Sequence, residues 1–454
     1  MRQGTELCRN GIERCLGAKD MRGKLWPMTD QKDKIQSATP TISRASDDQI
    51  VELVYDAHAR TTALAVHRQG SDWQIRQTVT LASGEMLRPY SAQNNLIANA
   101  CVLLPSKPES YGSKESLINE IAAYLHRYVD LSPVFENIAA HYVLLTWVYD
   151  AFQEVPYLRF QGDYGTGKTR ALLALGSICY KPFFASGASS VSPIFHILEA
   201  FGGTLILDEA DLRFSDATGD LIKILNNGTV RGLPVLRTIV DRNKEYNPRA
   251  FKVFGPKIVA MRGAYDDDAL ESRFVSEQMG QRSLRDGVPI ALPDTMEKEA
   301  LSLRDRLLDY RAQNLATLRT HQGPIVGQVE PRVAQMASPL LRLIDDETLK
   351  AETIALMRSQ NAQLRVARRR RLDGMTIIAL NELFATSAGH AVSVGALTGK
   401  INGELIKERD IPVTPKAVGN VLRALHLETR RVRGVYVVPA PERPKAQALL
   451  TRVA

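Results

Sequence analysis

The sequence predicts an α/β protein whose centre is a parallel sheet with helices on both faces. A small β-rich module precedes that sheet, and a basic helical unit follows it. Three observations lead there. A glycine-rich loop joins a strand pattern to a helix pattern after residue 160. An apolar run ending in carboxylates follows forty positions after the loop lysine. All of the net positive charge, finally, lies in the last fifth of the chain.

The loop comes first because it is the most specific. Gly162, Asp163, Tyr164, Gly165, Thr166, Gly167, Lys168 and Thr169 fit G-x-x-x-x-G-K-[ST] at every position. Its glycines let the backbone curl so that N–H groups point at phosphate oxygens. Lys168 is placed to reach the β- and γ-phosphates, and Thr169 to set its hydroxyl on Mg²⁺. Residues 155–160 read as the strand before the loop. Residues 170–179 read as the helix after it, whose positive end faces the phosphates. The stretch expected to touch ATP therefore runs from Gly162 through Arg170.

The second element is residues 203–211, an apolar run that ends in Asp208 and Glu209. Such a run suits a strand buried in a parallel sheet. It also fits a plain core strand feeding an acidic helix start, and its position behind a phosphate loop selects the first reading. Asp208 is then the Mg²⁺ carboxylate, and Glu209 the group that polarises the attacking water.

Composition narrows the classes. The chain has 454 residues, room for two to four domains. Residues 1–31 are polar and broken by charges, unlike a signal peptide. No apolar stretch has the length to cross a bilayer, so no membrane partner is expected. Cys8, Cys15, Cys101 and Cys179 show neither metal-ligand spacing nor a paired framework, which fits a reduced, cytoplasmic setting. Residues 360–454 hold 16 Lys and Arg against 7 Asp and Glu, and the preceding part is nearly neutral. That imbalance points to an acidic partner, nucleic acid first, or to a basic surface that is merely solvated.

Along the chain, residues 1–45 read as a disordered segment and 46–105 as the β-rich module. Residues 106–154 read as a helical linker region, 155–293 as the ATPase core, 294–372 as a helical lid with a basic linker, and 373–454 as a terminal domain. Arg365 and the run Arg368 to Arg371 make the basic junction either a DNA contact or a solvated helix end. The terminal domain has three helix patterns and then a basic hairpin around Gly434, the winged-helix arrangement. Lys416, Asn420 and Arg423 share one face of its third helix. Arg430, Arg431 and Arg433 flank the hairpin turn. DNA is the expected partner of this domain, with protein docking as the alternative.

Past the second motif comes another buried strand, residues 257–261, and then Ala269, Leu270, Glu271, Ser272, Arg273 and Phe274. Acidic residues followed by this sequence resemble an AAA+ ATPase, above all the minichromosome-maintenance-type helicases of phages and mobile elements. The resemblance covers residues 155–275, and extends to the C-terminal winged helix in domain order only. It implies that Lys168 and Thr169 serve the phosphates, Asp208 and Glu209 the metal and water, and Arg273 a neighbour's ATP as a finger. The sequence departs where such enzymes carry an asparagine that senses γ-phosphate: Arg262 stands there. A second sensor arginine is either Arg304 or Arg306. Residues 235–240 and 250–254 pair as a hairpin that in related helicases projects into a central channel. Arg237, Arg242 and Lys244 would then meet the DNA backbone.

The expected function is therefore an ATP-dependent DNA motor, a replicative-type helicase of a mobile element. It would work as a homo-hexameric ring on single-stranded or forked DNA, with a primase or loader as a possible partner. The alternatives are an ATP-gated initiator, loader or transposition regulator that does not unwind, and an ATPase that remodels protein. No primase, nuclease or zinc motif is present in the sequence.

Overall fold

The computed structural model describes residues 38–46, 48–186, 190–208, 216–240, 246–265, 267–320, 331–387, 390–407 and 411–453. The chain divides into two units, Met1–Glu109 and Ser110–Ala454.

The first unit is built on strands β1 (Thr39–Thr41), β2 (Ser43–Ala45), β3 (Gln49–Asp56), β4 (Thr61–Arg68), β5 (Gln74–Arg76), β6 (Val79–Thr80) and β7 (Met86–Pro89), with a short helix α1 (Asn95–Ala98). Strands β2, β3, β4 and β5 form an antiparallel sheet in that order, and β1, β7 and β6 form a mixed one in which β1 runs parallel to β7. Leu53 lies opposite Leu64 across β3 and β4, and both are fully buried. The disordered segment expected through residue 45 is thereby shortened. Residues 39–41 and 43–45 are strands because β7 and β3 supply ladder partners that local composition does not show.

The second unit opens with helices α2 (Lys114–Tyr128) and α3 (Pro133–Val148). Every residue of α3 from Ile138 to Val148 is buried, so its apolar surface runs all round. Then follow β8 (Tyr157–Gln161), α4 (Lys168–Ser177), β9 (Phe183–Ser186), α5 (Val191–Phe201), β10 (Leu205–Asp208) and α6 (Asp216–Asn227). An antiparallel hairpin, β11 (Val235–Val240) with β12 (Tyr246–Phe251), interrupts the alternation. The core closes with β13 (Lys257–Met261), α7 (Asp268–Glu271) and β14 (Phe274–Gln278).

The five core strands form one parallel sheet in the order β14, β8, β13, β10, β9. The strand that feeds the phosphate loop is thus one removed from the strand that ends in Asp208, and β13 lies between them. Tyr157 and Phe160 of β8 point to opposite faces. Phe160 packs edge-on against Phe135 of α3, whereas Tyr157 donates its hydroxyl hydrogen to the Leu225 carbonyl of α6. Helices therefore cover both faces, as a parallel sheet requires.

Three long helices follow: α8 (Thr295–Thr320), α9 (Pro331–Leu341) and α10 (Glu347–Arg370). Gln360 of α10 pairs with the main chain of Ser276, donating to its carbonyl at 2.6 Å, and so caps the outer edge of β14. The chain ends in α11 (Leu372–Thr386), β15 (Val392–Ser393), α12 (Val394–Lys407), α13 (Pro415–Ala424), β16 (Arg430–Val432), β17 (Val435–Val438) and α14 (Arg443–Val453). Leu380, Leu397, Val418, Leu422 and Val438 share one small core. The sequence pattern is legible as far as the hairpin and gives no hint of α14, which packs back on α11.

Candidate nucleotide site

The loop after β8 is shaped by its glycines. Gly165 and Gly167 sit at φ 76° and 87°, left-handed values that a side chain disfavours. Gly162 is required for a different reason: a Cβ there would lie 2.6 Å from the Met279 carbonyl oxygen. Helix α4 begins at Lys168, two residues earlier than the periodicity predicts, so its first N–H groups open into the loop. The Lys168 ammonium donates to the carbonyls of Gly162 and Asp163, at 2.7 and 2.6 Å. Thr169 donates its hydroxyl hydrogen to Asp208 Oδ2 at 2.7 Å.

This last contact joins the two motifs that the sequence keeps forty positions apart. A curled loop, an ammonium, a hydroxyl and a carboxylate now lie side by side at the C-terminal edge of the sheet, where open α/β sheets bind ligands. The set fits a nucleoside triphosphate with Mg²⁺: the loop and Lys168 would hold phosphates, and Thr169 with Asp208 the ion. Glu209 lies outside the described residues.

A cavity of about 1040 Å³ continues from the loop. Tyr164, Asp130, Met279, Gly280, Gln363 and Leu364 are among its walls. It has the size of a cofactor or nucleotide site. Sequence reasoning missed Met279 and Gly280. Gly280 sits at φ 80°, and a Cβ there would come within 2.4 Å of Thr166 Cγ2. A glycine just past a strand was the available signal, but nothing local says which loop it must approach.

Other expected nucleotide residues fall differently. The Arg170 guanidinium donates to the carbonyls of Tyr128, Pro289 and Ile290, and Arg170 lines the cavity beside the loop. Arg262 follows β13 next to the loop, its guanidinium 6.0 Å from the centre of the Tyr164 ring. Neither Arg304 nor Arg306 is at the loop, which corrects their assignment as phosphate sensors. Arg304 donates to the carbonyl of Ser177 at the far end of α4, and Arg306 pairs with Glu120. Burial pushes the Arg304 guanidinium down to about 10.

Arg273 is 8% exposed. Its guanidinium donates to Asn226 Oδ1 (2.6 Å), the Asn226 carbonyl (3.0 Å), the Ala269 carbonyl (2.6 Å) and Thr229 Oγ1 (3.2 Å). Burial holds its pKa below the ordinary arginine value. It stands at the edge of the sheet opposite the phosphate loop, because its carbonyl accepts from the N–H of Tyr157 at the start of β8.

The expected DNA contacts divide in three. Arg237 does not project from its hairpin: it pairs with Asp220 at 3.0 Å and lies over the Phe195 ring. Its cross-strand neighbour Arg249 is likewise held by Glu199. Arg242 and Lys244, in the turn, lie outside the described residues. On α13, Lys416, Asn420 and Arg423 are exposed on the face opposite buried Val418 and Leu422. The wing strands expose every residue from Arg430 to Tyr436. Arg433 adopts φ 49°, an unusual position for a bulky side chain, and Gly434 completes the turn. Two arginines of the basic junction are engaged within the chain, while Arg369 and Arg370 are exposed at the helix end. Arg368 and Arg371 both pair with Asp268, at 2.9 and 2.8 Å.

No family model and no curated protein matches the chain. Among solved structures, it is similar to the apo form of the NrS-1 C-terminal region, at 12% identity and a TM-score of 0.34 over 86% of this chain and 96% of that one. It is also similar to JCV helicase, at 15% identity and a TM-score of 0.22 over 59% of this chain and 65% of that one. At such scores the likeness decides neither fold nor activity. Among the described residues, no helix is long and apolar enough to cross a membrane.

Proposed function

We propose that this chain is an AAA+-type ATPase that works on DNA, a helicase-like motor whose C-terminal unit is a winged helix. The observation that carries the ATPase reading is the 2.7 Å contact between Thr169 and Asp208 beside a lysine folded onto its own loop. Bound Mg²⁺ supplies charge neutralisation for phosphoryl transfer. Within the chain, Lys168 and the loop N–H groups bind and orient the triphosphate, and Thr169 with Asp208 holds the ion. Glu209 orients water, and Arg262 adds positive charge beside the loop. Arg273 stands at the sheet edge away from its own loop, and to serve a neighbouring subunit in a ring its guanidinium would exchange its bonds to Asn226, Ala269 and Thr229 for phosphate. DNA is supported by the exposed Lys416, Asn420 and Arg423 face with the arginine-bearing wing, in a region of net charge +9.

A second reading, an initiator or loader that assembles on DNA without unwinding it, is favoured by one observation. Arg237 and Arg249 are held by carboxylates of their own chain, so these two cations of the hairpin body are already engaged away from a DNA track.

The test uses the full chain with ATP, forked DNA and single-stranded DNA. Turnover that rises with DNA, together with strand displacement, supports the motor. Turnover without displacement moves the reading to the initiator. Lys168→Ala should abolish turnover, and Glu209→Gln should bind ATP but stall. Near-normal hydrolysis by Lys168→Ala would sink the ATPase assignment.

A further inference from the structure

Arg273 hangs from a very short helix whose acidic residues each reach a different element. Asp267 caps α7, accepting from Ala269 N–H at 2.8 Å, and its other oxygen accepts from Asn226 Nδ2 on α6 at 3.2 Å. Glu271 is buried and pairs with Arg159 of β8 at 2.7 Å. Both ties stay inside the sheet and its covering helices. Asp268 reaches out of that core instead. One oxygen takes Arg368 Nε at 2.9 Å and the other takes Arg371 Nη1 at 2.8 Å. Arg368 lies in the last turn of α10, and Arg371 is the residue on which α10 hands over to α11.

The geometry points to Asp268 as the positioning residue for Arg273, through which the arginine junction before the C-terminal unit sets the finger. This rests on the reading that Arg273 acts on a neighbour's nucleotide. The chain of contacts is short. Asp268 is the first residue of α7 and ties it to the junction, the Ala269 carbonyl one residue later accepts from Arg273, and Asn226 accepts from Arg273 while donating to Asp267. A carboxylate that takes two charge-assisted hydrogen bonds from different turns of the junction defines a direction as well as an attraction. With its charge removed, α7 keeps its ties to α6 and β8 but loses its reference to α10 and α11. Displacement of a catalytic group by an ångström costs rate far more than it costs binding. Asp268 and its partners are partly exposed, 22% for Asp268 and Arg368 and 35% for Arg371, so the link can respond to what binds the C-terminal unit.

The experiment measures steady-state ATP hydrolysis by full-length Asp268→Asn, Arg368→Gln/Arg371→Gln, and the combination, beside Arg273→Ala. Asp268→Asn should lower kcat about tenfold and leave KM within about twofold, the pattern of a weakened transition-state interaction. The arginine double variant should reproduce the loss, and the combination should fall no further. Asp268→Glu should recover part of the rate. Unchanged kcat in Asp268→Asn while Arg273→Ala is dead overturns the positioning role alone. Additive losses, or a parallel rise in KM, also overturn it. Full activity of Arg273→Ala overturns the finger reading and the positioning role with it. If Asp268→Asn fails to fold, the arginine variant carries the same comparison from the other side of the link.

Discussion

Arg273 and Lys168 stand at opposite ends of the same pair of strands. The Arg273 carbonyl accepts from Tyr157 N–H at the start of β8, and Lys168 follows the loop that leaves Gln161 at its end. Four strand steps separate those ends, about 13 Å. An arginine so placed cannot serve the loop of its own chain without dismantling the sheet edge. Its guanidinium is buried on Asn226, Ala269 and Thr229, so the proposed service to a second copy requires those bonds to be released as that copy's loop stacks on this edge.

Mixing therefore tests the arrangement. Lys168→Ala and Arg273→Ala subunits should each be inactive alone, with Arg273→Ala down roughly 10³-fold in turnover and much less in ATP binding. Mixed assemblies contain interfaces that pair an intact loop with an intact arginine, so some hydrolysis should return. Mixtures that co-assemble and stay as inactive as either parent would count against action in trans.

Gly280 offers a second handle, one independent of any charge. Its φ of 80° and the 2.4 Å approach of an added Cβ to Thr166 leave no room for a methyl group. Gly280→Ala should push the segment after β14 off the phosphate loop, raising KM for ATP about tenfold or more with a stability loss of about 1 to 3 kcal/mol. ATP titrations and thermal unfolding of the same preparation measure both. Normal KM would mean that the loop does not depend on this neighbour.

What the sequence shows and what it hides differ in kind. The loop, the Asp208 strand, the first hairpin strand at 235–240 and the three C-terminal helices are legible because each is a local pattern: a turn, an apolar run, a period. The second hairpin strand, expected at 250–254, lies at Tyr246–Phe251 because Asn247 and Pro248 pair with Ile239 and Thr238. The contact between Thr169 and Asp208 follows from two such patterns once both strands lie in one sheet. Local pattern misplaces Arg170, Arg237, Arg304, Arg368 and Arg371, or leaves them open, for a common reason. An arginine's long stem reaches whichever carbonyl or carboxylate the fold brings near, and sequence spacing does not say which. Residues 39–45 look disordered in sequence because an edge strand is stabilised by its partner more than by its own composition.

The C-terminal unit should bind DNA through charge with little sequence preference. Arg430, Arg431 and Arg433 stand exposed on the wing, beside exposed Val432, Val435 and Tyr436. Replacing the three arginines by Gln should weaken duplex binding and reduce the salt slope of log affinity by about 0.9 for each phosphate that is no longer neutralised. The body of the unit should stay folded, because its core lies in Leu380, Leu397, Val418 and Leu422. Binding measured between low and moderate salt gives the slope. An unchanged slope would favour a protein partner for the wing.

Lys257 pins the segment after the hairpin against β8, and it does so from a fully buried position. Its ammonium donates to the carbonyls of Val253 and Gly255 at 2.8 and 3.0 Å and lies over the Tyr157 ring. Burial lowers its pKa from the ordinary 10.5 to about 7. Between those values the unfolded chain binds the proton and the folded chain does not, so stability attributable to this group rises with pH. The destabilising effect is full below about pH 7 and fades as pH climbs toward 10.5. Lys257→Met removes the titration while keeping most of the volume. The stability of the wild type relative to this variant should therefore rise between about pH 7 and about pH 9, by up to about 1.4 kcal/mol per pH unit. The Val253 and Gly255 carbonyls, with that of Gly228 at 3.5 Å, favour the ammonium and reduce that slope without reversing it. Denaturant midpoints of both proteins across the range supply the measurement. A difference that is flat, or that falls with pH, would show that Lys257 keeps its proton when folded, held by Val253 and Gly255 more strongly than burial opposes it.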